Sequence, residues 1–487
     1  MPTTRARPAV AAGHPATVAA AIEVLRAGGN AFDAAVAAGF AAGVVEPVLS
    51  SLGGGGFLLA RTAGGDEVLF DFFVDTPGRG VPDDVEPEMA AVDLRFGNAT
   101  QTFHVGHGSV AVPGCLAGYL HVHARLGRLP LAEVVAPARR AAETGVVVGP
   151  HGAATVRLVE AILTLTPAGR ERFRPGDRPL ADDAVLPPDP ALAATLAAIG
   201  DGRLNGFGDD HLAGRIEADN RAGGGVLTAA DLAAYRVVER EPLVVTHRGA
   251  RLVTNPAPSL GATLVGRALA HLEAAGAPAS PGSPTAVVRI AQALREVGRH
   301  HRGPGPVSTR GTTHVSVCDA DGNLAAMTTS NGSGSGVPLA DTGVLANNIM
   351  GEEDLHPEGL RRLPAGLRVG SMMAPSILDR PDAPPVVLGS GGSERIRSAI
   401  AQVVAHLVDE GAAVPDAVLA PRLHVDGDEV VQLEPGHDPA AVAALREAGF
   451  ATNVWSVTDL YFGGVHAVSS SGAHVGDPRR GGTSAAP

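Results

Sequence analysis

At 487 residues, with 45% hydrophobic and 18% charged side chains, the chain is long enough for about three small domains or one large layered one, and it can bury a sizeable core. A formal net charge of -13 argues against nucleic acid as a partner, and two cysteines, Cys115 and Cys318, are too few for a disulfide framework. Aromatics make up only 3% against 63 glycines and 38 prolines, so the core has to be built from Ala, Val and Leu.

Residues 15–27 carry Val18, Ile22 and Leu25 at helical spacing and stop at Gly28-Gly29, the pattern of a helix with a glycine exit. The apolar run 34–45 falls short of the roughly 20 residues that span a bilayer and reads as a buried helix, so no membrane partner is expected. Gly53-Gly54-Gly55-Gly56 lacks the Gly-Lys-Ser/Thr ending of a phosphate loop, and a strand is expected at 67–73. Helices are expected at 117–126, 131–144, 190–198 and 285–298, within a Pro- and Gly-rich stretch, 275–306, that reads as a long loop after Val297. From 313 to 319 polar residues alternate with Val315 and Val317; the turn sequence Asp319-Ala320-Asp321-Gly322-Asn323 and a second strand-like run, 324–329, complete a β-hairpin with Thr312 at its open end. Further on, Leu388-Gly389-Ser390-Gly391-Gly392-Ser393-Glu394-Arg395-Ile396-Arg397 leads into Ile400, Val403, Val404 and Leu407, a strand-to-helix turn with Ser393 or a neighbour as N-cap. The tail 477–487, with Arg479, Arg480 and Gly481-Gly482, reads as disordered.

Thr312 is the residue with a chemical opportunity. A threonine hydroxyl is a weak nucleophile that needs an adjacent base, and an α-amino group freed by a cut between Gly311 and Thr312 supplies one from the same residue, titrating near pH 7.7 to 8.0. Read alone, the segment is also an ordinary hairpin with a Thr-rich edge strand. The turn at Gly391 and Gly392 presents unpaired N–H groups at the positive end of a helix, a cradle for an oxyanion or simply a tight packing turn. The 18 histidines form no His-Glu-x-x-His motif or Cys/His knuckle, so no metal and no cofactor is expected. Cys318 reads as a buried, inert thiol.

A series of motifs in order ties these segments together: His14-Pro15, Gly28 to Val36, Glu46-Pro47, Gly53 to Phe57, Gly108 to Gly114, Asp231 to Tyr235, Asn255 to Ser259 and the Thr312 hairpin. Together they resemble the γ-glutamyltranspeptidase family of N-terminal nucleophile hydrolases, proenzymes that cut themselves before the nucleophilic threonine. The resemblance implies a four-layer αββα sandwich, cut into a large segment 1–311 and a small one 312–487 that remain one intertwined domain. It implies Thr312 as nucleophile, the N–H groups of Gly391 and Gly392 as oxyanion hole, and a hydroxyl beside the nucleophile, for which Thr329 and Ser330 compete and Ser330 is favoured. Asn331, Glu352 and Ser371 match substrate-binding positions, Glu352 for the donor's α-amino group and Ser371 for its carboxylate.

The departures lie in the donor pocket. Phe73 stands where the family has a carboxylate-gripping arginine, Met372 where it has a second serine and Ile349 where many members have glutamine. Arg395 is the nearest arginine in sequence to the oxyanion turn that is able to take over that grip. The expectation is therefore an N-terminal threonine hydrolase or acyltransferase with a small amide or acyl donor and water or an amine as acceptor, acting on γ-glutamyl-like amides. Alternatives are the same centre on another side-chain amide or on a carbon-carbon bond next to a carbonyl, and an unprocessed homologue with a binding or structural role. Residues 1–7 lead into the first motif without a long apolar stretch, which sets the expectation of a cytoplasmic location.

Overall fold

The computed structural model describes residues 6–82, 84–96, 99–299, 311–356, 359–360 and 363–487. The hairpin is Gly311–Cys318 against Leu324–Gly332. Its turn is closed by the Asp319 carboxylate, which accepts from the N–H groups of Asp321 at 3.0 Å and Asn323 at 2.9 Å. The strand that carries Thr312 is interior, so the edge-strand reading fails. It lies third in a seven-stranded antiparallel sheet ordered Thr483–Ala485, Ala9–Ala12, Gly311–Cys318, Leu324–Gly332, Gly55–Arg61, Glu67–Phe72, Val238–Arg240. Strands from either side of the Gly311–Thr312 bond are thus interleaved within one sheet.

A second antiparallel sheet runs His474–Val475, Gly464–Ser469, Ala383–Gly391, Ser376–Arg380, Ala250–Thr254, Leu243–His247. Successive strand residues point to opposite faces, and this period sorts the hairpin. Val315 and Val317 enter the core shared with helices Pro15–Arg26 and Ala31–Val45, while Cys318 enters the core between the sheets. On that inner face Ser316 donates to the His466 carbonyl at 3.0 Å, and the ring of His314 lies where a side chain on Gly389 would stand. Thr312 shares this parity and faces the second sheet. Ala31–Val45 is buried nearly all round, as an apolar helix between other elements must be, and Asn30 with Asp33 closes its start as a capping box. Gly261–Ala274 and Arg395–Asp409 cover the far side of the second sheet, and Pro284–Arg299 packs on Gly261–Ala274. The result is the four-layer αββα sandwich.

The helices expected from periodicity are present within a few residues of their expected ends, and Gly149–Leu158, Asp210–Ala222 and Gly261–Ala274 are added to them. Beyond Arg299 the expected loop to residue 306 lies outside the described residues. The reading of 477–487 as disordered is wrong. Asp477 accepts from Arg422 at 2.7 Å and pairs with Arg479 at 3.2 Å, Arg479 pairs with Glu434 at 2.6 Å, and Thr483–Ala485 is the sheet's edge strand. Arginines that look solvated in sequence are buried because their acidic partners arrive from other elements. Among the described residues no helix is long and apolar enough to cross a membrane.

Candidate active site

Gly311, Thr312, Ser330, Asn331 and Gly391 meet at one end of the first sheet. Gly311 pairs with Gly332 but Thr312 pairs with Ser330, so Asn331 is the extra residue of a β-bulge set opposite the Gly311–Thr312 peptide. The bulge aims Ser330 inward. Its Oγ donates to the Gly311 carbonyl at 2.5 Å, accepts from the Gly332 N–H at 3.1 Å, and receives the Thr312 hydroxyl at 3.4 Å. Thr329 faces away, its hydroxyl 2.9 Å from that of Ser50, so of the two competing hydroxyls Ser330 is the one beside Thr312. Gly311 is pinned: a Cβ there would stand 2.1 Å from the Val48 carbonyl oxygen and 2.4 Å from that of Gly332. Behind Thr312, His314 bridges the hydroxyls of Thr328 at 2.8 Å and Ser316 at 2.9 Å, and burial holds its pKa well below the usual histidine value.

The Gly391-Gly392 turn comes from the second sheet. A Cβ on Gly391 would lie 2.3 Å from the Thr312 carbonyl oxygen, so only glycine lets the two backbones approach this closely. Gly392 has φ of 123°, and among the described residues its N–H has no backbone acceptor. Ser390 Oγ stabilises the turn by donating to the Gly391 carbonyl at 2.8 Å and accepting from the Gly464 N–H at 3.2 Å. Of Ser393 or a neighbour, the N-cap position falls to the neighbour Glu394: Ser393 sits at φ of 54° one residue earlier, and no side-chain hydrogen bond caps the helix Arg395–Asp409.

Asn331 is fully buried, its Nδ2 3.5 Å from the Ala346 carbonyl and its Oδ1 without a hydrogen-bond partner. Glu352 lies against the loop that follows it, with Oε1 2.5 Å from where a Gly332 side chain would begin. Ser371 has another setting. Its Oγ accepts from the Met373 N–H at 3.1 Å, while Asn255 and Ser259, from one of the sequence motifs, grip the same loop by the carbonyls of Met373 and Ser371. Phe73 is 1% exposed and stacks on Phe57 at 5.6 Å in the core between the sheets. It lies one residue beyond the Gly56–Phe72 pair, three strands from Thr312, or about 14 Å at the usual interstrand spacing. Among the described residues no hydrogen bond joins Phe73 or Ser371 to Thr312, Ser330 or the glycine turn. Near Phe73 there is an arginine, Arg368, but it is committed to Asp71 and Asp75 at 2.6 Å each. Arg395 is likewise occupied, donating to the Tyr461 carbonyl at 3.1 Å and lying 4.9 Å over its ring.

Two residues beside the centre, Glu46 and Arg480, have no chemical role legible in the sequence. Glu46 ties Thr17 at 2.7 Å and Thr313 at 2.8 Å, fixing the start of the strand Gly311–Cys318, and burial pushes its carboxyl pKa up. The Glu46-Pro47 motif was its signal. Arg480 lies buried beside the Gly391-Gly392 turn and had no signal beyond an Arg-Arg pair in a Gly-rich tail. Among the described residues no group of three His, Cys, Asp or Glu is placed to hold a metal ion.

A family model for gamma-glutamyltranspeptidase matches residues 17–304 and 299–486. An acylase ACY 1 proenzyme of Pseudomonas sp. (strain V22) is 31% identical over 497 residues, covering 92% of this chain and 88% of its own length. The glutathione hydrolase proenzyme of Escherichia coli (strain K12) is 29% identical over 486 residues, covering 88% and 83%. Among solved structures, the cephalosporin acylase from Bacillus halodurans has the same fold, with a TM-score of 0.83 at 24% identity over 99% of this chain and 96% of that one.

Proposed function

Since this chain belongs to the gamma-glutamyltranspeptidase family, we propose that it is a self-processing hydrolase or acyltransferase in which Thr312 is first the agent of its own release and then the nucleophile toward small amides. The observation that carries the reading is Ser330 Oγ standing between the Gly311 carbonyl and the Thr312 hydroxyl at a bulge. In the uncut chain the Thr312 Oγ attacks the Gly311 carbon, the Ser330 hydroxyl stabilises the charge growing on the carbonyl oxygen, and the C–N bond breaks as the Thr312 nitrogen takes a proton. Water then hydrolyses the ester, leaving a Gly311 carboxylate and a free Thr312 amine. In turnover that amine accepts the hydroxyl proton, Oγ attacks the donor carbonyl, the N–H groups at Gly391 and Gly392 face the oxyanion, and the proton passes to the leaving amine. Water or an acceptor amine resolves the acyl-enzyme. Asn331 and Glu352 are assigned to the donor on the Gly332 side, and Ser371 to its more distant end.

A second reading, the same centre on a donor other than γ-glutamyl, is favoured by Phe73 packed on Phe57 where the family has arginine, and by buried Met372 where it has serine. The relatives named above as acylase and as glutathione hydrolase proenzymes leave both readings within one family. The test is a denaturing gel with N-terminal sequencing: wild type yields fragments of 311 and 176 residues, the smaller beginning at Thr312, and Thr312→Ala stays whole. A wild type that stays whole yet turns over amides refutes the nucleophile. A panel of γ-glutamyl and other acyl anilides on the cut enzyme separates the two donor readings.

A further inference from the structure

Among the described residues Arg480 is a buried arginine with no ion-pair partner. It is 4% exposed, its Nε and Nη2 have no hydrogen-bond partner, and among the described residues no carboxylate pairs with it. The nearest acid in sequence, Asp477, is already shared by Arg422 and Arg479 and by the Val465 N–H. Burial and the charge of Arg395 bring the Arg480 pKa down to about 10, still charged at neutral pH. A buried guanidinium that feels Asp477 and Asp459 only at longer range, with neither paired to it, is costly to keep, and a carboxylate brought by a ligand would complete it.

Its position says which ligand. A side chain on Gly391 or Gly392 would meet the Arg480 guanidinium at 3.4 Å, and the same arginine lines a gap of about 20 Å³ with Gly311, Ser333, Val48 and His151. In self-cleavage the Gly311 carbon becomes the acyl carbon esterified to Thr312, so whatever borders Gly311 borders the acyl group of a later donor. The gap shares Val48, Leu49, His151 and Thr155 with an apolar cavity of about 580 Å³ that runs past Glu46 and Val148 to Gly481. Arg480 ends the turn Pro478–Arg480, three residues before the edge strand Thr483–Ala485, and that strand lies on the other side of the Thr312 strand from Glu67–Phe72, which leads into Phe73.

We propose that Arg480 is the carboxylate-binding residue of this enzyme, and that it selects acyl donors carrying a carboxylate on the acyl chain, gripped on the opposite side of the nucleophile from the position where the family holds its arginine. The proposal rests on Thr312 being the nucleophile. It accounts for a chain that lacks the arginine at Phe73 while its other nearby arginines, Arg368 and Arg395, are occupied.

The test compares two donors of equal chain length, glutaryl and valeryl 4-nitroanilide, on cut wild type, Arg480→Met and Arg480→Lys. Wild type should show a Michaelis constant for the glutaryl anilide about 10-fold or more below that for the valeryl one, the effect of one charge-assisted fork. Arg480→Met should erase that difference, raising the Michaelis constant for the glutaryl anilide relative to that for the valeryl one, and Arg480→Lys, which keeps the charge without the fork, should fall between. A wild type indifferent to the carboxylate, or an Arg480→Met that changes both donors alike or neither, overturns the assignment. Should Arg480→Met remain uncut, calorimetry on cut wild type decides: glutarate binding with valeramide silent supports the site, and equal or absent binding of the two, as when the released Gly311 carboxylate fills it, overturns it. A wild-type chain that stays whole and turns over neither anilide brings down the nucleophile reading as well, whereas a cut and active enzyme indifferent to the carboxylate brings down only this one.

Discussion

Replacing Ser330 by alanine separates chemistry from packing at the centre. In the folded chain its Oγ is 2.5 Å from the Gly311 carbonyl oxygen, 3.1 Å from the Gly332 nitrogen and 3.4 Å from the Thr312 hydroxyl. Alanine leaves the buried Gly332 N–H without its acceptor, a cost of about 1 to 3 kcal/mol. That loss is tolerable for a domain with a stability of about 5 to 15 kcal/mol, so the protein should stay folded with a lowered melting temperature. The chemical effect is larger. The Gly311 oxygen loses the donor that would meet its growing negative charge, and loss of one such donor costs on the order of 100-fold to 1000-fold in rate. Ser330→Thr retains a hydroxyl on the same carbon and should recover most of the processing rate. The assay follows conversion of the 487-residue chain into its 311- and 176-residue fragments on a denaturing gel, with melting temperature measured alongside. If Ser330→Ala matures at the wild-type rate while its melting temperature falls, Ser330 is a packing residue and the proposed cleavage step loses its oxyanion donor.

Gly391→Ala puts a methyl group 2.3 Å from the Thr312 carbonyl oxygen, backbone against backbone, and should leave the chain largely uncut; normal maturation would show that the two strands are not held this closely. Gly392→Val, at a φ of 123°, should lower turnover of any processed enzyme by about 100-fold or more, and near-normal turnover would remove the turn from the site. Truncation before Gly476 strips Asp477 and Arg479 from Arg422 and Glu434 and removes the edge strand, so it should abolish soluble, processed protein, as breaking one such buried pair costs about 3 to 5 kcal/mol; a soluble, active truncation would restore the disordered-tail reading. Burial depresses the His466 pKa to about 4 from 6.5, so on acidification the unfolded chain takes up a proton near pH 6.5 that the folded one refuses until about pH 4. Stability should therefore fall as pH drops through that window, by at most about 3 kcal/mol from this group, and urea midpoints for His466→Gln should show a shallower slope; an unchanged slope would place the acid sensitivity elsewhere.

The hairpin, the Gly-rich turn and the helices at 15–27, 34–45, 117–126 and 131–144 were legible because each rests on neighbours in sequence: alternation, periodicity and turn residues act within a few positions. The cap of the following helix is legible in sequence only as Ser393 or a neighbour: serine favours a cap by identity, but Ser393 sits at positive φ in the turn whose Gly391 packs against Thr312, and the cap position falls to its neighbour Glu394. The choice between Thr329 and Ser330 lay beyond sequence because a single bulged residue, Asn331, determines which hydroxyl faces inward.

By itself, the sequence determined the layered architecture, the order of the motifs and the identity of Thr312 as the residue worth testing, since these follow from local pattern and from the string of residues a family shares. Only the tertiary structure decided which hydroxyl stands at the Gly311 carbonyl, that Phe73 is a core side chain three strands away, that Arg368 and Arg395 are occupied, and that among the described residues Arg480 is buried with no ion-pair partner. The physical reason is distance along the chain. Whether a buried charge is paired depends on carboxylates brought in by other strands and helices. Asp477 and Arg479, between His474–Val475 and Thr483–Ala485, meet Arg422 and Glu434 only when the segments bordering Leu423–Val425 and Val430–Leu433 are folded against them.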